Sequence, residues 1–453
     1  MIRATQTLSP AQAVEFLFDA ARAKGAERFD AVAGESESLG LELFEGKVKS
    51  TEISNSRGIG IRLFKGNRPG FAFTERMTPE ALSRTADDAW SHAALTDDVE
   101  LDLPQPATLP DIDLKPYNPA LESVTLEDMK AFGLKLEELA AQGDARIENI
   151  PYLGASRGSG FSLIANSNGL LYESRSNSIS AGVGVVAKQG DVKKMGVYSR
   201  AGRAFDPSVF DPDFMARTAV ERAVELLDAS PVPSGAYPVL FSNRVSAQIF
   251  SMFGSPFFAE AVQKGQSRLE GKVGEKIAAS AFTLISDPFL PGFPGSHLFD
   301  GEGVLSRRLE VVKDGVLQTF LYNLESAKKA GVAPTGTGSR GYSGKAGTGF
   351  ANYIVPLGGA TKQELLTRYP KVLEIVKLEG GSGCSAISGE ISIGAQGFLW
   401  ENGVRTQAVD RVTLSTNFFD LLIGIQGFSN QYNDVFSSVK VPDVLVESVH
   451  VSG

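Results

Sequence analysis

Hydrolysis at a metal centre needs three protein ligands and a fourth position open to water. The most economical sequence for it sets two histidines one helical turn apart with a glutamate beside them. The histidines of this chain are His92, His297 and His450, and none lies within a turn of another. Cys384 is the single cysteine, which excludes an intrachain disulfide and any site built from several thiolates. A lone cysteine in GGSGCSAISGE reads more readily as packing than as a nucleophile. The pattern of a nucleophile elbow occurs at Gly154-Ala155-Ser156-Arg157-Gly158, but that motif works only where a strand turns into a helix. Here the following residues, SGFSLIAN, read as a strand.

The segment 335–349 is glycine-rich and contains Gly344-Lys345, like the end of a phosphate loop. The match fails twice, because Ser339 stands where the first glycine belongs and Ala346 where a hydroxyl would meet magnesium. The composition predicts a mobile loop at the edge of a cleft, since six glycines in fifteen residues disfavour regular structure. Its candidate ligand-facing charges are Arg340 and Lys345, with Gly338 and Gly341 beside them.

The elements that must position these residues are legible from periodicity. Ser9-Pro10 predicts a helix over residues 11–23, and short alternating runs between 39 and 75 predict an antiparallel meander with turns at Glu45-Gly46, Ser56-Arg57-Gly58 and Gly66-Asn67. Thr78-Pro79 opens another helix. Residues 98–119, rich in proline and aspartate, read as a long surface connection. A helix from Thr125 to about Ala141 and a second meander over 147–200 repeat the plan without any residue-level repeat. A helix from Asp211-Pro212 to about Ala229 runs into the proline-containing stretch 230–238. The expected organisation is therefore α+β with two domains: a mixed α/β N-terminal domain, 1–230, with antiparallel meanders, and a β-rich C-terminal domain, 231–453. The second half is expected to hold one helix near 244–262, hairpins at Asp314-Gly315 and Asn402-Gly403, and a short helix after the capping box Thr361–Glu364.

Bulk properties narrow the function. A chain of 453 residues with 42% hydrophobic and 21% charged residues can bury more than one core. Its net charge of -9 disfavours nucleic acid or an anionic membrane surface as the main partner. No apolar run approaches the roughly 18 residues of a membrane span, and the start lacks the pattern of a signal peptide, so a cytoplasmic location is expected.

Over nearly its whole length the sequence resembles the TldD/PmbA family, also called modulators of DNA gyrase. The most specific stretches are FDGEGVLSRRLEVVKDGVLQTFLYNLESAKKAG (299–331) and SGEISIGAQGFLWENGVRTQAVDRVTL (388–414). Residues 44–66 and the NSNG turn at 166–169 support them. In the family's catalytic branch, an H-E-x-x-x-H helix precedes a K-G-x-S segment, and a later cysteine looks like a third zinc ligand. Lys264-Gly265-Gln266-Ser267 matches K-G-x-S, which places Phe250, Ser251 and Ser255 at the two histidine positions and the glutamate between them. The C-terminal run has no cysteine. The resemblance thus implies a PmbA/TldE-like branch member without the zinc motif or a cofactor of its own. It also implies a TldD-like zinc-bearing paralogue as partner in a cytosolic peptidase acting on unfolded or flexible peptides, this chain supplying chamber and peptide-binding surface. A stand-alone homodimeric binding protein and a metal-independent hydrolase using Ser156, Cys384 or a site without a recognisable motif are the competing readings.

Overall fold

A computed structural model describes residues 7–453. The N-terminal part applies one plan twice. α1 (Pro10–Ala23), β1 (Phe29–Phe44), β2 (Lys47–Lys65), β3 (Arg68–Thr74) and α2 (Pro79–His92) form the first unit. α3 (Leu126–Gln142), β4 (Ile147–Asn166), β5 (Leu171–Gln189), β6 (Val192–Gly202) and α4 (Pro212–Val224) form the second. Each helix starts where a side-chain oxygen takes up an orphan amide: Ser9, Thr78, Thr125 and Asp211 are the N-caps, three of them followed by proline. α4 stops at Val224, short of the expected end, and the turn expected at Ser56-Arg57-Gly58 is absent, because those residues pair in register with Gly34–Ser36 of β1 inside the continuous strand β2.

The strand order β3-β2-β1-β4-β5-β6 joins the two meanders through an antiparallel β1–β4 pair. One face of this sheet carries the helices. Leu17 and Leu82 pack with Phe29 and Ile61 under α1 and α2, while Leu136 and Ala219 pack with Leu41 and Val183 under α3 and α4. Side chains alternate along a strand, so the other face takes the intervening residues. These are small. Gly34, Ser36, Ser38 and Gly40 of β1 lie opposite Ser162, Gly160, Gly158 and Ser156 of β4, and Ser174, Ser176, Ser178 and Ser180 of β5 continue the rows. Ser156 thus lies within a strand with its hydroxyl 3.0 Å from that of Ser180, not on an elbow.

The connection after α2 is more than a surface loop. Leu101 and Leu103 are buried beside Phe64 and Leu324, so this stretch ties the N-terminal sheet to the C-terminal part. Isolated leucines among prolines and aspartates give no periodic signal, which is why composition alone reads it as exposed.

The C-terminal part begins with β7 (Gly235–Phe241), α5 (Asn243–Met252) and α6 (Ala259–Gln263). The helix expected over 244–262 is broken, because Gly254 and Pro256 fall in the short 3-10 turn between α5 and α6. β8 (Leu284–Ser286), β9 (Leu309–Lys313), β10 (Val316–Leu317), α7 (Leu324–Ala330), β11 (Gly338–Ser339), β12 (Gly347–Thr348) and β13 (Tyr353–Ile354) follow. The chain ends through α8 (Lys362–Leu366), β14 (Lys371–Glu379), β15 (Glu390–Glu401), β16 (Val404–Asn417), α9 (Phe418–Gly424), β17 (Ile425–Phe428), β18 (Val439–Lys440) and β19 (Val444–Ser452). The main sheet runs β16-β15-β14-β7-β19-β17 and a second runs β10-β9-β8-β13-β18, with one large apolar core formed among them and α5. Asp314-Gly315 and Asn402-Gly403 turn with positive φ at both residues, the geometry a tight hairpin requires. Val220 belongs to an N-terminal core and Val245 to the C-terminal one.

Candidate functional site between the N-terminal sheet and the C-terminal part

A cavity of about 1050 Å³ opens between the N-terminal sheet and the C-terminal part. Lys264, Lys329, Lys345 and Glu260 line it, and Arg62, Glu302 and Arg340 contribute from a buried ionic network. Asp30 of β1 and Arg62 of β2 are cross-strand neighbours, so the sheet itself sets their pairing. Arg62 Nη2 donates to Asp30 Oδ2 at 2.5 Å and to Glu302 Oε1 at 3.2 Å, while Arg340 Nη1 donates to Asp30 Oδ1 at 2.7 Å. Side-chain exposure is 2% at Arg340, 4% at Asp30 and 1% at Glu302.

Burial and charge oppose each other in this network. Burial works to raise Asp30, but Arg340 and Arg62 outweigh it and hold the carboxyl below its usual range. Glu302 is pushed up by burial despite Arg62, and its Oε2 accepts the Leu324 amide at the start of α7. Asp300 is pushed up to about 7 by burial and by the neighbouring Glu302. Three backbone amides partly offset this: those of Glu302 and Val304 donate to Oδ1, and that of Gly338 donates to Oδ2 at 2.6 Å.

The structure corrects the expected role of the glycine-rich segment. Residues 335–338 are buried, and the segment is a hairpin, β11 paired with β12, rather than a loop without regular structure. Its glycines serve close approach. A Cβ at Gly336 would run into the Leu305 carbonyl, and one at Gly338 would crowd the carboxylates of Asp300 and Glu302. Gly341 lies in the exposed turn, next to Tyr342, whose ring sits where side chains at Gly34 and Gly58 would be. Arg340 is not a free ligand-facing charge, because its guanidinium is buried against Asp30; Lys345 is exposed at the cavity wall.

Phe250 lies on α5 and is buried, its ring 5.7, 6.3 and 5.5 Å from those of Phe282, Tyr353 and Phe418. Ser251 and Ser255 are exposed. A phenyl ring in an aromatic cluster and two hydroxyls do not fit a catalytic zinc. Among the described residues, no group of three or more His, Cys, Asp or Glu side chains stands close enough to hold a metal ion. Cys384 is half-buried, packs against the C-terminal core and bridges to Ile391. His297 pairs through Nδ1 with the Ser306 hydroxyl at 2.7 Å, burial holding the imidazole below its usual value.

Sequence reading missed Asp30, Arg62, Asp300 and Glu302. Each charge lies inside or beside an apolar run, Asp30 in FDAVA, Arg62 in IGIRLF and both Asp300 and Glu302 in FDGEGV, and that placement was the available signal.

Two meanders joined edge to edge in one sheet, a β-rich second part and an ionic seam between them define the class of fold. Family models for the PmbA/TldA metallopeptidase match as domain 1 over residues 29–93, central domain over 119–227 and C-terminal domain over 234–453. The chain belongs to the PmbA/TldD metallopeptidase family. It is 27% identical to the metalloprotease PmbA of Escherichia coli O157:H7 over 90% of this chain and 88% of that protein. A PmbA homolog of Haemophilus influenzae is 26% identical over 98% of this chain and 96% of its own length. A crystal structure from Thermotoga maritima, described as a modulator of a DNA gyrase, superposes with a TM-score of 0.88 at 28% identity, covering 98% of this chain and 100% of that one. TldE of Thermococcus kodakarensis shares the fold, with a TM-score of 0.86 at 22% identity, over 97% and 100% of the two chains. No described helix is long and apolar enough to cross a membrane.

Proposed function

We propose that this chain is the zinc-lacking, PmbA/TldE-like subunit of a cytosolic peptidase whose zinc is carried by a TldD-like paralogue. In this reading it contributes chamber wall and peptide-binding surface for unfolded or flexible peptides, and it is inactive alone. The observation that carries the reading is Phe250. At a position where the catalytic branch has a histidine, this chain buries a phenyl ring in its largest core, and Ser251 and Ser255 supply neither an imidazole nor a carboxylate base. The cavity beside Lys264 and Glu260 and the Gly/Ser face of the sheet are surfaces on which an extended peptide could lie.

The test is co-expression with an H-E-x-x-x-H paralogue, followed by metal analysis and cleavage of an unstructured peptide. Zinc and chelator-sensitive cleavage should appear only when the paralogue is present. Stoichiometric zinc with chelator-sensitive cleavage by this chain alone would overturn the assignment.

A further inference from the structure

A second cavity, about 820 Å³, lies on another side of the interdomain seam from the buried network. Beside it the charge balance inverts. Arg200 of β6, Arg203 just after it, Arg222 of α4, Arg244 of α5 and Lys440 of β18 gather around Tyr198, Phe436 and Asp434. The Arg200, Arg222 and Arg244 guanidinium carbons stand 5.7, 5.0 and 6.0 Å from the centre of the buried Tyr198 ring. Among the described residues, Asp434 is the one carboxylate paired with any of the five cations, through Arg200 at 3.1 Å, and it also accepts the Tyr198 hydroxyl. Four cations are therefore left without an ionic partner in a chain whose net charge is -9.

Backbone carbonyls satisfy part of this set. Arg200 donates to Asp434, Arg222 to Val197, Arg203 to Pro116, Asn177 and Gly292, and Lys440 to Asn433 and Val435. Arg200 Nε and Arg244 Nη1 are buried with no partner. Half-buried like charges within reach of one another are unfavourable unless an anion joins them. Burial and the nearby Arg244 push Arg222 down to about 10, and burial lowers Arg244 and Lys440 as well.

The cavity wall includes Arg200, Arg203, Lys440 and Phe436. Arg200 and Phe436 also line a smaller cavity of about 510 Å³, whose lining includes Gly154, Ser156, Ser180 and Gly182 of the Gly/Ser face and the carboxylates Glu42 and Glu52. A floor of mostly small residues with two carboxylates thus leads to a mouth with surplus positive charge, which orients an anionic group toward the arginine end. We infer that this face of the chain holds an extended peptide whose carboxylate is received by Arg200 and Lys440, with Arg203, Arg222 and Arg244 supplying the surrounding positive field. The inference deepens the peptide-binding role proposed above and names its substrate class as peptides presenting a carboxylate, at the C-terminus or on an acidic side chain.

The full-length chain is titrated by fluorescence polarisation with three labelled octapeptides. One has a free C-terminus and no acidic side chain, one is its C-terminal amide, and one is the amide with an internal glutamate. A hydrogen-bonded charge pair of this kind is worth roughly tenfold or more in affinity. The free acid or the glutamate peptide should bind about tenfold more tightly than the plain amide, and which of them does so identifies the carboxylate's source. Arg200→Gln and Lys440→Gln, each checked for unchanged melting temperature, should remove that advantage and leave the plain amide as it was. Equal binding of all three peptides, or an equal loss for all three in both variants, would overturn the inference and leave the cluster a structural one. Inorganic phosphate that raises the melting temperature through the same residues without competing with any peptide would assign the cluster to a small anion and overturn it too. Absence of peptide binding by the chain and by its complex with the paralogue would sink the inference, whereas the subunit reading is decided separately, by zinc-dependent cleavage in that complex.

Discussion

Arg340→Met separates the buried-network role of Arg340 from the ligand-facing role its glycine-rich surroundings suggest. The substitution keeps an unbranched apolar stem and removes the guanidinium with its charge. Asp30 would lose its 2.7 Å partner and keep Arg62, while Glu302 and Asp300 remain buried beside them. Removing one member of a buried ion pair costs about 3–5 kcal/mol, because the remaining charge stays desolvated. Since Arg62 still reaches Asp30, the lower end, about 3 kcal/mol, is expected. Asp30 lies on the N-terminal sheet and Arg340 in the C-terminal part, so coupling between the two should weaken as well. Urea denaturation can report both sides, because one tryptophan, Trp90, lies in α2 and the other, Trp400, in β15. In single-tryptophan backgrounds both midpoints should fall and move apart, and adding Asp30→Asn should cost less than the sum of the two single changes. If Arg340→Met stays within about 0.5 kcal/mol of the parent on both probes while peptide binding is lost, the reasoning is refuted.

Phe250→Ala should destabilise the C-terminal part by about 3–5 kcal/mol in the same denaturation assay, as expected for emptying an aromatic position in a packed core. Phe250→His should also destabilise it and should recruit no zinc in metal analysis, since Ser251 and Ser255 supply no further ligand. Gly58→Val places side-chain atoms in the Tyr342 ring, so the 340–346 turn should lift and be cut faster by a protease. The Asp300 carboxyl sits at about 7 against an ordinary 3.8, so the folded state binds the extra proton. Its contribution is fully present below about pH 4 and is lost as pH rises toward 7, by at most about 4 kcal/mol. Asp300→Asn should flatten that slope in denaturation midpoints taken between pH 4 and 7.

Wherever one local signal determined an element, the sequence announced it. Ser9-Pro10, Thr78-Pro79 and Asp211-Pro212 mark helix starts through capping chemistry, and Asn402-Gly403 marks a hairpin through its positive φ angles. Two readings failed for a shared reason. Glycines at 336 and 338 looked like flexibility and prove to be points of close approach, and Leu101 and Leu103 looked exposed and prove to be buried. In each case the deciding partner is more than thirty residues away, at Asp300 or Glu302 for Gly338 and at Phe64 or Leu324 for the leucines. The ionic network was invisible for the same reason, since only β1–β2 pairing and the return of the hairpin bring Asp30, Arg62 and Arg340 together.

The two polar regions between the N-terminal sheet and the C-terminal part differ in a way that bears on function. Around Asp30 the two guanidiniums are matched by Asp30 and Glu302, although Arg340 Nη2 is buried without a partner, so that region can hold the two parts together without help from a ligand. Around Tyr198 one paired carboxylate, Asp434, faces five cations, and Arg200 Nε and Arg244 Nη1 are buried without partners. A network whose charges are matched contributes stability, whereas one with surplus cations retains a capacity to bind an anion. Phe250 adds to the core near one end of α5, while Arg244 near the other end of the same helix joins the basic cluster beside the second cavity. The two ends of that helix draw on separate side chains, so the apolar packing at Phe250 and the proposed recognition at Arg244 can be altered independently.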